Sequence, residues 1–275
     1  MTLITITSSF GSGGESIARR VSEQLGVELF DDLKLQERIL ALGISKAELE
    51  DLDEKAPGLL DRLFTNKPSI YLDSLGSVVY DIASQGQGVI IGHAAQHFLK
   101  DFHCAFHVMI HASAETRSKW LTQERNMNEK ESIKLIRKMD MRYKEFIHYG
   151  FQRDWNDFSG YDLVINMDKI STDLAVKVIA DMSTSEEVKE CSLNALQKME
   201  ISSLQRKVDA AIIKSRLVHP FGTVNVEVTG KGKVHLTGLA YSRDIKKNIE
   251  SVVKDVPGVL EVISDLSVMP NNVYD

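Results

Sequence analysis

Residues 8–18, SSFGSGGESIA, combine a glycine-rich turn with hydroxyls and one carboxylate. Such a combination can cradle an anion. Gly11, Gly13 and Gly14 can adopt positive φ and let a ligand approach the backbone, so that successive amides converge on phosphate oxygens. A helix starting near Glu15 would add the partial positive charge of its N-terminus. Set against the phosphate loop G-x-x-x-x-G-K-[ST], Ser8 stands at the first glycine, Gly13 at the second and Gly14 at the lysine. Ser16 then takes the hydroxyl position that holds Mg²⁺, with one residue inserted. Ser12 lies among the cradle residues, Gly14 supplies no cation, and Glu15 adds an anion. On these residues alone the stretch fits a cradle without its lysine or a tight strand-to-helix turn.

Other residues could serve a polyanion. Arg117, Arg125, Arg137 and Arg142, with Lys119, Lys138 and Lys144, fall in one charged stretch from Ala114 to about Tyr149. An arginine fork grips phosphate oxygens bidentately; a run of charges also serves as the solvated face of a helix. Asp31 and Asp32 could hydrogen-bond a ligand, hold Mg²⁺ through water, or cap a helix, the last favoured for Asp32. His103, His107 and His111 recur every fourth residue. Their surroundings read as a strand, where that spacing separates neighbours by about 13 Å, too far for shared chelation.

The elements that would position these groups are short apolar runs alternating with helical patterns. LITIT, GVIIG (88–92), CAFHVMIHA (104–112) and YDLVINM (161–167) read as buried strands. Between them, Ile17, Val21 and Leu25 share one helical face that ends at Gly26, helical patterns run on through about residue 64, and another ends at Gly86. Strands alternating with helices predict an α/β fold with a parallel sheet covered on both faces. Ligands of such sheets sit at the carboxyl ends of the strands, where the glycine loop would lie.

After Ser183 the pattern changes. A polar helical segment over 184–201 reads as a linker. Beyond it come an amphipathic helix, two alternating strands around a Gly-Lys-Gly turn, a helix and a further strand. This is a small α+β module of αββαβ order, predicted as a separate domain over 202–275, with the first domain over 1–183.

Taken together, FGSGGESIARRVSEQLG, DEKAPGLLDRL (53–63), GVIIGHAAQHFLKD (88–101) and YDLVINMDKISTDLAVKVI (161–179) resemble the cytidylate kinase-like family. IRKMDMRYKEFIHYGFQRDW (136–155) looks like the lid-side segment of that family. The family belongs to the P-loop nucleoside monophosphate kinases, and its loop reads GSGG in place of GxGK. The resemblance implies a P-loop kinase-like sheet and transfer of the γ-phosphate of ATP, with Mg²⁺, to a nucleoside monophosphate, cytidylate by default. It implies loop contacts from Gly11 to Ser16, catalytic cations among Arg117, Arg125 and Arg142, acceptor contacts at Asp31, Asp32 and His93, and Mg²⁺ at Ser16. This chain departs from the pattern twice: Glu15 and His93 stand where the family commonly has arginine. The alternative is a nucleotide-binding sensor with weak or lost catalysis that acts through its second module.

That module, over 202–270, resembles a BON domain, carried by Gly230, Gly232, Gly238 and VPGV (256–259). The resemblance implies binding of a protein partner or acidic lipid, with Lys231, Lys233, Lys246 and Lys247 as a candidate basic patch, and leaves room for a homo-oligomer.

Composition narrows the class. The chain has 275 residues and a net charge of −6. From residue 202 onward 10 Lys and Arg oppose 8 Asp and Glu, and before it 23 oppose 31. An acidic first domain is a poor non-specific partner for nucleic acid, so none is expected. No basic-apolar leader and no run of about 18 apolar residues is present, so a cytoplasmic protein is expected. Cys104 and Cys191 lie in different segments and predict neither a disulfide framework nor a metal cluster.

Overall fold

Leu3–Ser8 carry apolar and β-branched side chains on both faces and form β1, the middle strand of a five-stranded sheet. The computed structural model describes residues 2–42, 68–92, 94–125, 127–188, 190–217 and 224–269. The stretch 53–63 and the helical patterns expected between 43 and 64 lie outside the described residues. The chain divides into two units, Met1–Thr65 with Ile82–Leu196, and Asn66–Asp81 with Gln197–Asp275.

In the first unit β1 leads into α1 (Gly14–Leu25), β2 (Leu29–Phe30) and α2 (Asp32–Ala41). Then come the end of α3 (Pro68–Ala83), β3 (Gly88–Ile91), α4 (Ala95–Leu99), β4 (Ala105–His111), α5 (Ala114–Arg125) and α6 (Glu129–Phe151). β5 (Leu163–Asn166) and α7 (Thr172–Ser183) complete it. The sheet order is β2-β3-β1-β4-β5, and every pair is parallel. Ile4, Ile6, Val89, Phe106 and Val108 pack with Ile17 and Val21 of α1 and with Val176 and Ile179 of α7. The alternate residues Leu3, Thr5, Ile90 and Met109 are buried as well, so both sheet faces are covered, as a parallel sheet requires. Gly26, left-handed at φ 64°, ends α1 as its sequence predicts. The charged stretch expected from Ala114 forms two helices, because Asn128 caps α6 by accepting the Glu131 amide.

The structure departs from the sequence expectation at the two cysteines and at the cap of α2. Cys104 and Cys191 are joined in a disulfide, with Cα atoms 4.9 Å apart; their separation of 87 positions gave no pairing signal. Asp31, not Asp32, caps α2: its carboxylate accepts the Lys34 amide at 3.2 Å. Of the three spaced histidines, His107 is buried with Nδ1 2.7 Å from Thr5 Oγ1, and its amide donates to Asp162. Burial lowers its pKa against the opposing pull of Asp162.

The second unit holds most of α3, most of α8 (Leu193–Ser215), β6 (Val224–Gly230), β7 (Lys233–Ala240), α9 (Arg243–Lys254) and β8 (Glu261–Val268). One continuous α8 spans positions whose sequence reads as a linker followed by a separate helix. β6 and β7 form the expected hairpin, closed by Lys231 and Gly232 in left-handed conformations at φ 49° and 72°. β8 pairs parallel to β7. Leu204, Val208 and Ile212 of α8 and Ile249 and Val253 of α9 bury Val234, Leu236 and Leu266 of the sheet. Among the described residues no helix is long and apolar enough to cross a membrane.

A partly buried charge group joins α3 to α8 within this unit. Asp73 lies 2.6 Å from Arg206, Asp81 lies 3.2 Å from Lys207, and the Arg206 guanidinium stands 5.9 Å from the Tyr80 ring. Burial, helped by Asp209, outweighs the attraction of Arg206 and raises the Asp73 pKa to about 6. The folded state therefore holds this proton more tightly than the unfolded chain. Its contribution is full below the unfolded pKa near 4 and is lost as pH rises through about 6. Urea unfolding of wild type and Asp73→Asn should show the wild-type advantage shrinking by about 2 kcal/mol between pH 4 and 7. A difference that stays flat across that range would refute the assignment.

Candidate functional site

The carboxyl ends of β1, β3 and β4 meet where β1 hands over to α1. The turn is fixed from both sides. The Ser9 amide donates to the Ile110 carbonyl at 2.9 Å, the Ser12 amide to Ser9 at 3.0 Å, and the buried Ser12 hydroxyl to Ile110 at 3.3 Å. Gly11 and Gly13 take left-handed backbone at φ 79° and 80°, a conformation costly for any residue with a Cβ. Gly13 occupies the cap position of α1, and no side chain caps that helix. Its first amides are left without a side-chain acceptor. Glu15 and Ser16 lie exposed in the first turn. Trp120 and Leu121 of α5 close the turn from behind: a Cβ added at Gly13 would meet Trp120 at 3.3 Å, and one at Gly11 would meet Leu121 at 3.2 Å.

Arg117 sits beneath this turn rather than in front of it. It is 7% exposed and forks onto Asp140 of α6 through two bonds of 2.8 Å. A further bond of 3.2 Å reaches the Phe10 carbonyl of the turn. Nε has no partner among the described residues. The guanidinium thus ties the loop backbone to α6. Asp140→Asn, which removes the charge and keeps the shape, is expected to cost about 2 kcal/mol, less than a fully buried pair because the Asp140 side chain keeps 34% exposure. Urea denaturation checks this; a loss below about 0.5 kcal/mol, the range of ordinary surface changes, would mean that the fork does not support the loop.

In front of the turn lies a cleft of about 300 Å³. Among the described residues its charges come from Glu15 and Arg19 of α1 and from Asp31 and Asp32 at the start of α2. One wall is aromatic: Tyr143 of α6 stacks on Trp155 with ring centres 5.3 Å apart. Thr7 and Gln96 complete it with a fixed hydrogen-bond chain. The Thr7 hydroxyl donates to Gln96 Oε1 at 2.9 Å, and Gln96 Nε2 donates to Tyr161 Oη at 2.8 Å. Burial raises the Tyr161 pKa, against the pull of Thr7 and Gln96, so the phenol stays a neutral link in this chain.

The sequence-predicted residues therefore separate. Gly11–Ser16 form the turn and first helical turn, while Asp31 and Asp32 reach the cleft. Arg117 is committed to Asp140. Arg142 is 9% exposed on α6 and donates to Met139 Sδ at 3.8 Å. Arg137, Lys119, Lys138 and Lys144 are exposed. His93 and the Arg125 side chain lie outside the described residues. Asp140 reads in the sequence as a carboxylate analogous to Asp31 and Asp32; its fork with Arg117, the Gln96 chain and the Tyr143–Trp155 stack are contacts between segments that the sequence does not show. The sequence offers Arg19 and Arg20 together as cations of the first helix that could compensate for the arginines missing at positions 15 and 93, and of the two it is Arg19 that lines the cleft.

The family model for the cytidylate kinase-like family matches residues 3–169. The chain belongs to the cytidylate kinase-like family. The BON domain model matches residues 201–270. A cytidylate kinase from Methanothrix thermoacetophila is 30% identical over 169 residues, covering 60% of this chain and 87% of that one. An S-adenosylmethionine-dependent nucleotide dehydratase from Lacinutrix mariniflava is 25% identical over 183 residues. That match covers 66% of this chain and 35% of the relative, so the chain spans about a third of that protein. Among solved structures, an uncharacterized protein from Eubacterium ventriosum superposes with a TM-score of 0.52 at 22% identity, over 66% of this chain and 97% of that one. This last likeness concerns fold alone. For this member of the cytidylate kinase-like family, the turn with its uncapped helix and the adjoining cleft make the candidate site.

Proposed function

We propose that this protein is a nucleoside monophosphate kinase that transfers the γ-phosphate of ATP to a nucleoside monophosphate, cytidylate by default. The observation that carries the reading is the uncapped start of α1, which opens beside a cleft in a chain of the cytidylate kinase-like family. The residues fit a bound ATP phosphate: left-handed Gly11 and Gly13 shape the turn, and the first amides of α1 lack a side-chain acceptor. Ser16 would hold Mg²⁺, whose chemistry when bound is to neutralise charge on the phosphate oxygens. Such transfer needs positioning and charge compensation more than covalent help. The loop amides orient the donor, the Tyr143–Trp155 wall and Gln96 orient the acceptor, and Arg117 holds the loop rigid from beneath.

A second reading is favoured by a specific observation. Glu15 adds a negative charge beside the turn, and Arg117 is committed to Asp140. In that reading the chain senses a nucleotide without efficient turnover and signals through its BON domain, which would bind a protein partner or acidic lipid. A coupled ADP-release assay across CMP, dCMP, UMP and AMP, run beside thermal unfolding with ATP, separates the two. Turnover supports the kinase, and ATP stabilisation without turnover supports the sensor. If neither ATP nor any monophosphate raises the melting temperature, both readings fall.

A further inference from the structure

Among the described residues that line the cleft, the cation that a phosphate-bearing acceptor needs comes from α1. Arg117 is spent on Asp140 and Phe10. Arg20 points to the outer surface, where it pairs with Asp173 at 2.6 Å. Its neighbour Arg19 instead lines the cleft. Among the described residues no hydrogen bond or ion pair engages the Arg19 guanidinium, although Glu15 stands four positions earlier on the same helix, the spacing of a stabilising pair. The Asp31 carboxylate is already held by the Lys34 amide. Arg19 lines the cleft together with Tyr143, Trp155 and Gln96, whereas Trp120 packs against the turn at Gly13. An uncommitted arginine fork in such a cleft matches the oxygens of a phosphate monoester.

We infer that Arg19 anchors the phosphate of the acceptor and leaves the loop amides to the donor. This inference rests on the nucleoside monophosphate reading above. Arg19 binds two non-bridging oxygens of the monoester, and Glu15 on the same face limits how tightly a dianion is held.

Calorimetric titration of the full chain with CMP and with cytidine tests it. Arg19→Ala should weaken CMP binding roughly 30-fold or more, the scale of a lost charge-assisted contact of about 2 kcal/mol. It should leave cytidine binding unchanged, Arg19→Lys should recover part of the loss, and Arg20→Ala should bind CMP like wild type. A structural effect of the substitution would weaken CMP and cytidine alike, and that result overturns the inference. So does Arg19→Ala binding CMP as well as wild type while wild type binds it measurably. A wild-type chain that binds no nucleoside monophosphate overturns the parent reading and this inference with it.

Discussion

Replacing Gly14 by alanine is expected to destabilise the first unit by about 3 kcal/mol and to abolish stabilisation by ATP. Gly14 is buried at the first position of α1, and an added Cβ would collide with Cβ and Oγ of Ser8 at the end of β1. Neither side can withdraw. Ser8 is registered against Ile110 of β4, and the Ser9 amide is bonded to the Ile110 carbonyl. The turn itself is backed by Trp120, Leu121 and the Arg117 bond to Phe10. Relief must come by lifting the start of α1, which scatters the amides that the proposed phosphate site requires. The position aligned with the lysine of phosphate loops is thus closed here by Ser8 as well as neutral.

The compensating change follows from the same geometry. Ser8→Gly removes both colliding atoms and leaves the Ser8 Cα 3.8 Å from the new methyl, an ordinary contact. The double variant Gly14→Ala with Ser8→Gly should therefore recover about 2 kcal/mol of the loss in a double-mutant cycle. Chemical denaturation of both single variants and the double measures this. An unfolding midpoint of Gly14→Ala equal to wild type would show that the two residues are not in close contact.

Reduction of the disulfide between Cys104 and Cys191 is expected to cost about 4–5 kcal/mol, from the chain entropy released by opening a long loop. The bond joins the residue before β4 to the segment that enters α8, across 87 positions of sequence. Cys104→Ser, Cys191→Ser and the double variant should lose the same amount, since each removes the one crosslink. Losses that add in the double variant would mean that packing of the individual side chains dominates. The bond sits at the amino end of β4, while the candidate site lies at the carboxyl ends of the strands. Ligand affinity measured well below the melting temperature should therefore be the same in oxidised and reduced protein.

Much of this was legible in the sequence, for local reasons. Alternating buried strands and amphipathic helices specify a parallel sheet, because each apolar run needs cover on both faces. Glycines that must be left-handed, at the turn before α1 and in the hairpin at Lys231–Gly232, can be read from residue type and neighbours. The same applies to the family, whose motifs lie in order along the first two thirds of the chain. Caps were legible to within one residue: Asp31 and Asp32 offer the same side chain, and only the backbone angle at Asp31 selects it.

Contacts between distant segments were not legible. The sequence offers Arg117 as a free cation on a charged helix. The fold packs that helix beneath the turn and brings Asp140, 23 positions away, to its guanidinium. Arg19 and Arg20 are neighbours of one type, yet their 100° separation around the helix sends one to the cleft and the other to Asp173. Cys104 and Cys191 meet because β4 and the segment before α8 converge in space. By itself the sequence determined the sheet, the glycine turn before α1 and the family, since propensity, periodicity and turn chemistry are properties of short stretches. Only the tertiary structure decided which charges are spent inside the protein and which still line the cleft, because a charge is committed by the partner that folding brings within hydrogen-bond reach.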